Sequence, residues 1–171
     1  LTQPLQPMSA SSTTPSPLQG VKVVELSHLI AGPYCGQLLA EEGATVIKVE
    51  PPEGELTRHR EPMRQRDGKE ISGYFGALNR GKKSIALNLK NEKGLQTLHS
   101  LLEGSDVLLT NMRGGALKRL GLYPEDLVKR YPRLIVACIS GFGLQNAGKY
   151  TEVAGLAMVA EAMSGTTSLT R

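Results

Sequence analysis

Two apolar, β-branched runs, Val21-Lys22-Val23-Val24-Glu25-Leu26 and Thr45-Val46-Ile47-Lys48-Val49-Glu50, lie close enough together to leave room for a single helix between them. Strands joined through a helix run parallel, because an antiparallel pair needs only a hairpin whereas a parallel pair needs a crossover of about a dozen residues or more. The joining segment is written as a helix. Pro33 suits the first helical position, where its missing N–H costs nothing. Leu38, Leu39 and Ala40 supply apolar residues, and Gly43 ends the run. The sequence therefore predicts a strand–helix–strand unit with the helix over 33–42.

The rhythm then breaks and resumes. Residues 51–75, with Pro51-Pro52-Glu53-Gly54-Glu55 followed by mixed charges, read as one long surface loop. Ser84-Ile85-Ala86-Leu87-Asn88-Leu89 alternates as a half-buried strand does. Asn91 can cap a helix whose Leu95, Leu98, Leu101 and Leu102 share one face. A strand over 106–109, short helices over 114–120 and 124–130, a strand over 134–139 and a helical stretch over 152–164 complete the series. The fold class is therefore α/β, an open, doubly wound, mostly parallel Rossmann-like sheet. Such sheets bind ligands beyond the C-terminal ends of their strands. That directs attention to residues 27–33, 50–58, 90, 110–119 and 140–150.

Composition narrows what such a site can take. Forty per cent of the 171 residues are apolar, enough for one packed unit over 20–171, while residues 1–19, rich in Ser, Thr and Pro, read as a flexible leader. No apolar stretch reaches the roughly 18 residues of a membrane span. The net charge of +4, with 4% aromatic residues and no dense basic block, favours a small anionic ligand and gives no signature of nucleic-acid binding. The two cysteines, Cys35 and Cys138, form no framework and no metal-type pair, so no metal site and a reducing compartment are expected. That compartment is the cytoplasm, or the mitochondrial matrix or peroxisome in a eukaryotic cell.

Several familiar chemistries are missing. The glycines after the first strand, Gly32 and Gly36, do not make G-x-G-x-x-G, and neither a phosphate-binding G-x-x-x-x-G-K-[ST] nor a G-x-S-x-G nucleophile turn is present. Glu50 stands where a ribose-binding acid would stand, although a carboxylate at a strand end is more commonly solvated. His28 lies on a site-facing loop, where a plain loop role outweighs work as an acid or base, and His99 is placed as a helix-surface residue. Arg80, Lys82, Lys83 and Lys90 bracket the third predicted strand, and Arg113, Lys118 and Arg119 follow the fourth. Cations beside backbone N–H groups can hold a phosphate, and a solvated rim has the same composition.

Four strings, at residues 26–58, 79–90, 106–122 and 134–143, together resemble in order the opening of family III CoA-transferases. These are the CaiB/BaiF group, with formyl-CoA transferase, carnitine CoA-transferase and α-methylacyl-CoA racemase among its relatives. The resemblance implies an incomplete large domain that binds coenzyme A, with the small domain and the C-terminal part absent from this chain. It also implies an interlocked homodimer in the full-length form, and an acyl-CoA and a small carboxylic acid as substrates. Carried over position by position, it implies CoA contacts at Leu29, Leu87, Lys90, Asn111, Met112 and Arg119. Pro51 and Ser140 depart from it where some members carry basic residues, and Gly114 replaces a Pro.

The resemblance further implies an aspartate nucleophile within G-x-D-x-x-x-x-A-x-S-G. Its carboxylate attacks a donor thioester to give an anhydride and then an enzyme–CoA thioester. Gly155 to Gly165 align with that string without a gap and put Ala157 on the aspartate. Alanine has no nucleophile, and Glu161 lies one helical turn, about 5.4 Å, further along. A catalytically silent CoA-binding homologue is the alternative that this residue raises. A racemase-like enzyme, whose His-Asp pair is here Leu156-Ala157, is a weaker one.

Overall fold

The computed structural model describes residues 15–66, 68–145 and 148–169. Its centre is a five-stranded parallel sheet. The strands are β1 (Lys22–Leu26), β2 (Thr45–Glu50), β5 (Lys83–Ala86), β6 (Val107–Thr110) and β7 (Ile135–Cys138), in spatial order β5-β2-β1-β6-β7. Counting only these five along the chain, the order is third, second, first, fourth, fifth, the doubly wound arrangement expected. The winding reverses between β1 and β6, whose ends therefore part to leave a crevice.

Both faces of the sheet are covered. Helix α1 (Ala31–Glu41) carries the chain from β1 to β2 over one face. There Val23, Ala44, Val46 and Leu109 are buried, with Cys35 and Leu39 packed against them. On the other face α3 (Glu92–Glu103), α4 (Gly114–Arg119) and α5 (Pro124–Arg130) bury Leu98, Leu102, Leu117 and Leu127 against Val24, Val49 and Leu108. Each such leucine contributes about 1.5–3 kcal/mol of burial. The alternation Val23/Val24 on β1, one residue to each face, is the period-2 pattern of a strand covered on both sides. Helix α3 begins where its cap was expected, the Asn91 side chain accepting the Gly94 N–H at 2.7 Å.

Three expectations need correction. Residues 51–75 are not one loop. They contain a 3-10 turn (Leu56–His59), an antiparallel hairpin of β3 (Met63–Arg66) and β4 (Lys69–Ser72), and the start of α2 (Gly73–Asn79). These pieces are short and polar, and they are held by bonds that no local period reveals, such as Ser72 Oγ donating to the Arg60 carbonyl at 2.5 Å. The third parallel strand ends at Ala86 rather than 89, its last bond running from the Leu87 N–H to Glu50 O. The last helix, α6 (Ala157–Ser164), begins five residues later than expected, and a short α7 (Thr166–Leu169) follows it. Of the predicted leader, residues 1–14 lie outside the described residues. Residues 15–19 are described and lead through a turn at 17–20, where Leu18 packs against the cluster of Val23, Ala44, Val46 and Leu109 and donates its N–H to Glu42 O at 2.9 Å.

Candidate functional site

The crevice between β1 and β6 opens into a cavity of about 520 Å³, lined on one side by His28 and Leu29 and on the other by Asn111, Met112 and Arg119. Ser140–Gly143 and Val153–Leu156 close its far wall. A second cavity of about 490 Å³ adjoins it over the ends of β2 and β5, lined by Pro51, Glu53, Leu56, Leu87 and Lys90. His28 and Met112 line both, so the two spaces share a wall. The second space is mostly apolar, with Lys90 and the acidic residues Glu50, Glu53 and Glu55 also in its lining, the character of a groove for an amphipathic ligand.

The shared wall is the turn from β1 into α1, and it is held from both sides. Asn111, just past β6, accepts the His28 N–H at 3.0 Å and donates its own amide to the His28 carbonyl at 2.7 Å. Glu55, from the loop after β2, accepts the Leu29 N–H at 3.0 Å. Leu29 has φ +65°, a left-handed conformation that costs a branched residue about 1–3 kcal/mol and persists only where its surroundings impose it. Burial lowers the pKa of His28. The Glu55 carboxylate opposes that shift and the Lys48 and Arg113 charges reinforce it, so the imidazole is neutral at pH 7.

Beneath this turn lies a cluster of buried charge. Glu25 on β1 is fully enclosed, with its carboxylate 2.8 Å from Lys48 Nζ and 2.7 Å from Lys82 Nζ, both lysine side chains being nearly sealed from solvent. Ser27 donates its hydroxyl to Glu25, and Lys48 donates to the Ser27 carbonyl. Lys82 also donates to Pro33 O and Asn79 Oδ1. Burial lowers the pKa of Lys82, and the Glu25 hydrogen bond and charge oppose it. Gly36 of α1 sits directly over the cluster, since a Cβ there would lie 2.1 Å from a Glu25 oxygen. Only glycine lets the helix come down onto the carboxylate.

Glu50, at the end of β2, is neither a solvated terminus nor free for a ribose. It is 2% exposed, and Arg58 grips it with two hydrogen bonds of 2.6 Å. Burial pushes its pKa up, but the hydrogen bonds from Arg58, Ser84 and the Glu55 N–H outweigh that and hold it at about 2. His99 is not a plain surface group either: its Nδ1 lies 3.0 Å from the Tyr131 hydroxyl.

The predicted site residues gather at the strand ends, four of them (Leu29, Asn111, Met112, Arg119) around the first cavity and Leu87, Lys90 and again Met112 around the second. The predicted cation clusters do not hold together. Lys82 is buried against Glu25, Arg80 pairs with Glu41 at 2.9 Å, and Lys118 lies over the Tyr123 ring. Lys90, Arg113 and Arg119 are the cations that line the cavities. Ala157 is exposed and lines neither, although Gly155 and Leu156 line the first. That wall is fixed by a backbone crossing, because a Cβ on Gly155 would fall 2.5 Å from the Gly141 Cα. Sequence reasoning missed Glu55, the Glu25 cluster and this glycine pair. The charges at Glu25 and Lys48, set into otherwise apolar strands, were the signal for the second.

Order, switch point and cavities define a doubly wound α/β domain whose crevice opens between the first and fourth parallel strands. The sequence matches the model of CoA-transferase family III over residues 18–171, and the chain belongs to that family. It is 41% identical over 158 residues to a succinate–glutarate CoA-transferase of Agrobacterium fabrum, covering 90% of this chain and 39% of that protein. A succinyl-CoA–D-citramalate CoA-transferase of Chloroflexus aurantiacus is 40% identical over 164 residues, covering 94% of this chain and 39% of that protein. The crystal structure of a CAIB/BAIF family protein from Brucella suis superposes with a TM-score of 0.81 at 42% identity, over 88% of this chain and 39% of that one. The chain thus spans about two-fifths of the length of these relatives.

Proposed function

We propose that this chain is the coenzyme A-binding part of a CoA-transferase that moves CoA between an acyl-CoA thioester and a small carboxylic acid. The observation that carries the reading is the adjacency of the two cavities across the His28–Met112 wall, one with Arg119 and Arg113, the other apolar and edged by Lys90. CoA has the matching chemistry, a charged nucleotide end joined to a long, weakly polar arm. In this reading Lys90 and Arg119 pair with phosphate oxygens, Asn111, Met112 and Leu29 flank the arm, and Leu87 packs on the nucleotide. Neutral His28 faces the ligand from the shared wall. The whole protein works as an interlocked homodimer.

The same reading gives residue 157 to the nucleophile. A carboxylate there would attack the donor thioester carbon, expel the CoA thiolate and be left as a mixed anhydride. The thiolate would then attack the enzyme carbonyl, releasing the donor acid as its carboxylate and leaving an enzyme–CoA thioester. The acceptor carboxylate would attack that thioester and expel the thiolate, which would take the acceptor's acyl carbon from the second anhydride and free the enzyme carboxylate. Ala157 has no atom for that step. This favours, as a second reading, a CoA-binding homologue without transferase turnover.

Calorimetry with CoA and with NAD tests the binding site: CoA binds and NAD does not. Lys90→Ala and Arg119→Ala each weaken CoA by about 1.5–3 kcal/mol, the worth of a charged hydrogen bond. Unchanged affinity in both variants overturns the placement. Transfer from succinyl-CoA to a panel of acids by the whole protein carrying Ala157→Asp separates the two readings. Turnover appearing with the aspartate supports the transferase, and continued silence with intact CoA binding supports the homologue.

A further inference from the structure

We propose that Glu55 is a positioning residue for the ligand, its carboxylate fixing the β1–α1 turn in the shape that separates and joins the two cavities. The inference rests on the CoA-binding reading above. Glu55 is 3% exposed and belongs to the loop after β2, far along the chain from the turn it serves. Its Oε1 accepts the Leu29 N–H at 3.0 Å and the Thr57 N–H at 3.3 Å, while Oε2 accepts the Thr57 hydroxyl. The loop bearing it is itself tied down, the Glu55 N–H donating to Glu50 Oε2 at 3.0 Å and Arg58 gripping the same carboxylate.

Leu29 shows what this chain of bonds is for. A leucine at φ +65° returns to a right-handed or extended conformation unless something prevents it. The hydrogen bonds that prevent it are few: Asn111 holds the peptide group before Leu29, and Glu55 holds the Leu29 N–H itself. Without the Glu55 acceptor the left-handed turn becomes one conformer among several. Because Leu29 lines the first cavity and adjoins His28, which lines both, the fraction of molecules with a ligand-ready wall falls, and apparent affinity falls in the same proportion. Glu55 also lines the second cavity, but in this account it does not meet the ligand's reacting atoms. It acts through Leu29.

The test compares Glu55→Met, Glu55→Gln and Thr57→Val in the 171-residue chain, reading CoA affinity by calorimetry and Leu29 amide exchange by NMR. Methionine fills the same space without an acceptor for the Leu29 N–H. Its expected result is about tenfold weaker CoA binding together with at least tenfold faster Leu29 exchange. Glutamine keeps a carbonyl acceptor and restores both readouts to within about threefold of the unmodified chain. Thr57→Val removes a neighbouring hydroxyl but leaves the Leu29 bond, and it leaves both readouts unchanged.

Faster Leu29 exchange in Glu55→Met with undiminished affinity overturns the inference, as does a loss in Thr57→Val equal to that in Glu55→Met. Should Glu55→Met not fold, Glu55→Gln carries the test, and a tenfold loss there overturns it. If the unmodified chain binds no CoA, the functional reading fails first and the inference falls with it, an outcome distinct from the others.

Discussion

The two ends of the row of strand tips are built on opposite plans. At the β1–β2–β5 end the space under the site is filled by ion pairs, Glu25 with Lys48 and Lys82 and Glu50 with Arg58, and polar loops are strapped to them. At the β7 end the wall is irregular backbone running into α6, with Leu156 at 57%, Met158 at 78% and Met163 at 55% exposure. Buried charge can be stable only when every partner is in place, so the first end has one acceptable geometry. An exposed apolar helix has no such demand on it. One end is locked by chemistry, and the other is steered mainly by the crossing of Gly141 and Gly155.

The largest effect that would break this contrast comes from Glu25→Ala. Removing the carboxylate leaves two buried lysines without their counter-charge, and breaking such a pair costs about 3–5 kcal/mol. Urea unfolding of the chain should show that loss. A change below about 1 kcal/mol would mean that water already reaches the cluster and that the locked end is not locked.

Next comes an acid limb. The Glu50 carboxyl has an ordinary value of 4.5 and is held at about 2 in the folded chain. Below 4.5 the unfolded chain takes up a proton that the folded chain refuses, so stability is full above that pH and falls as the pH drops from 4.5 toward 2. Arg58→Met removes the largest of the groups that lower the Glu50 pKa and should flatten that limb in urea titrations repeated across the range. An unchanged limb would show that Glu50 is not the group responsible.

How much of this contrast could be read beforehand follows from its physics. The β1–α1–β2 unit and the leucines of α3 were legible because burial on one face imposes a period on neighbouring residues. The hairpin over 63–72 was not, although Asp67-Gly68 is a hairpin signal in the sequence, because the flanking residues alternate weakly and lean on the Arg60 carbonyl for support. Leu29, Leu87, Lys90, Asn111, Met112 and Arg119 came from resemblance, and the chain's topology distributes them around the two adjoining cavities. Spacing alone would have selected Lys82, which the fold spends on Glu25. The buried ionic partners were hidden for another reason: a charge within an apolar strand declares its partner only once the register, here Glu25 opposite Lys48, is known.

A smaller effect tests the steered end. Gly155→Ala puts a methyl 2.5 Å from the Gly141 Cα, and two backbones must separate to admit it. Overpacking of this kind costs about 1–3 kcal/mol in a packed setting. Because residues 153–156 line the first cavity, the separation also widens the far wall and should weaken CoA more than it lowers the unfolding midpoint. A loss of stability with no loss of affinity would place the ligand away from that wall.

The smallest effect is expected at Met158→Ala. Its side chain is 78% exposed, and α6 contains no buried residue. Truncation therefore removes little area from contact, and exposed substitutions of this kind stay within about 0.5 kcal/mol. Alanine also has a slightly better helix propensity than methionine, which pushes the sign toward stabilisation. A loss above about 1 kcal/mol would have only one physical source, contacts made by α6 in solution, whether with this chain or with a second copy. Measuring the unfolding midpoint at two protein concentrations a hundredfold apart separates those sources, since only contact between copies makes it depend on concentration.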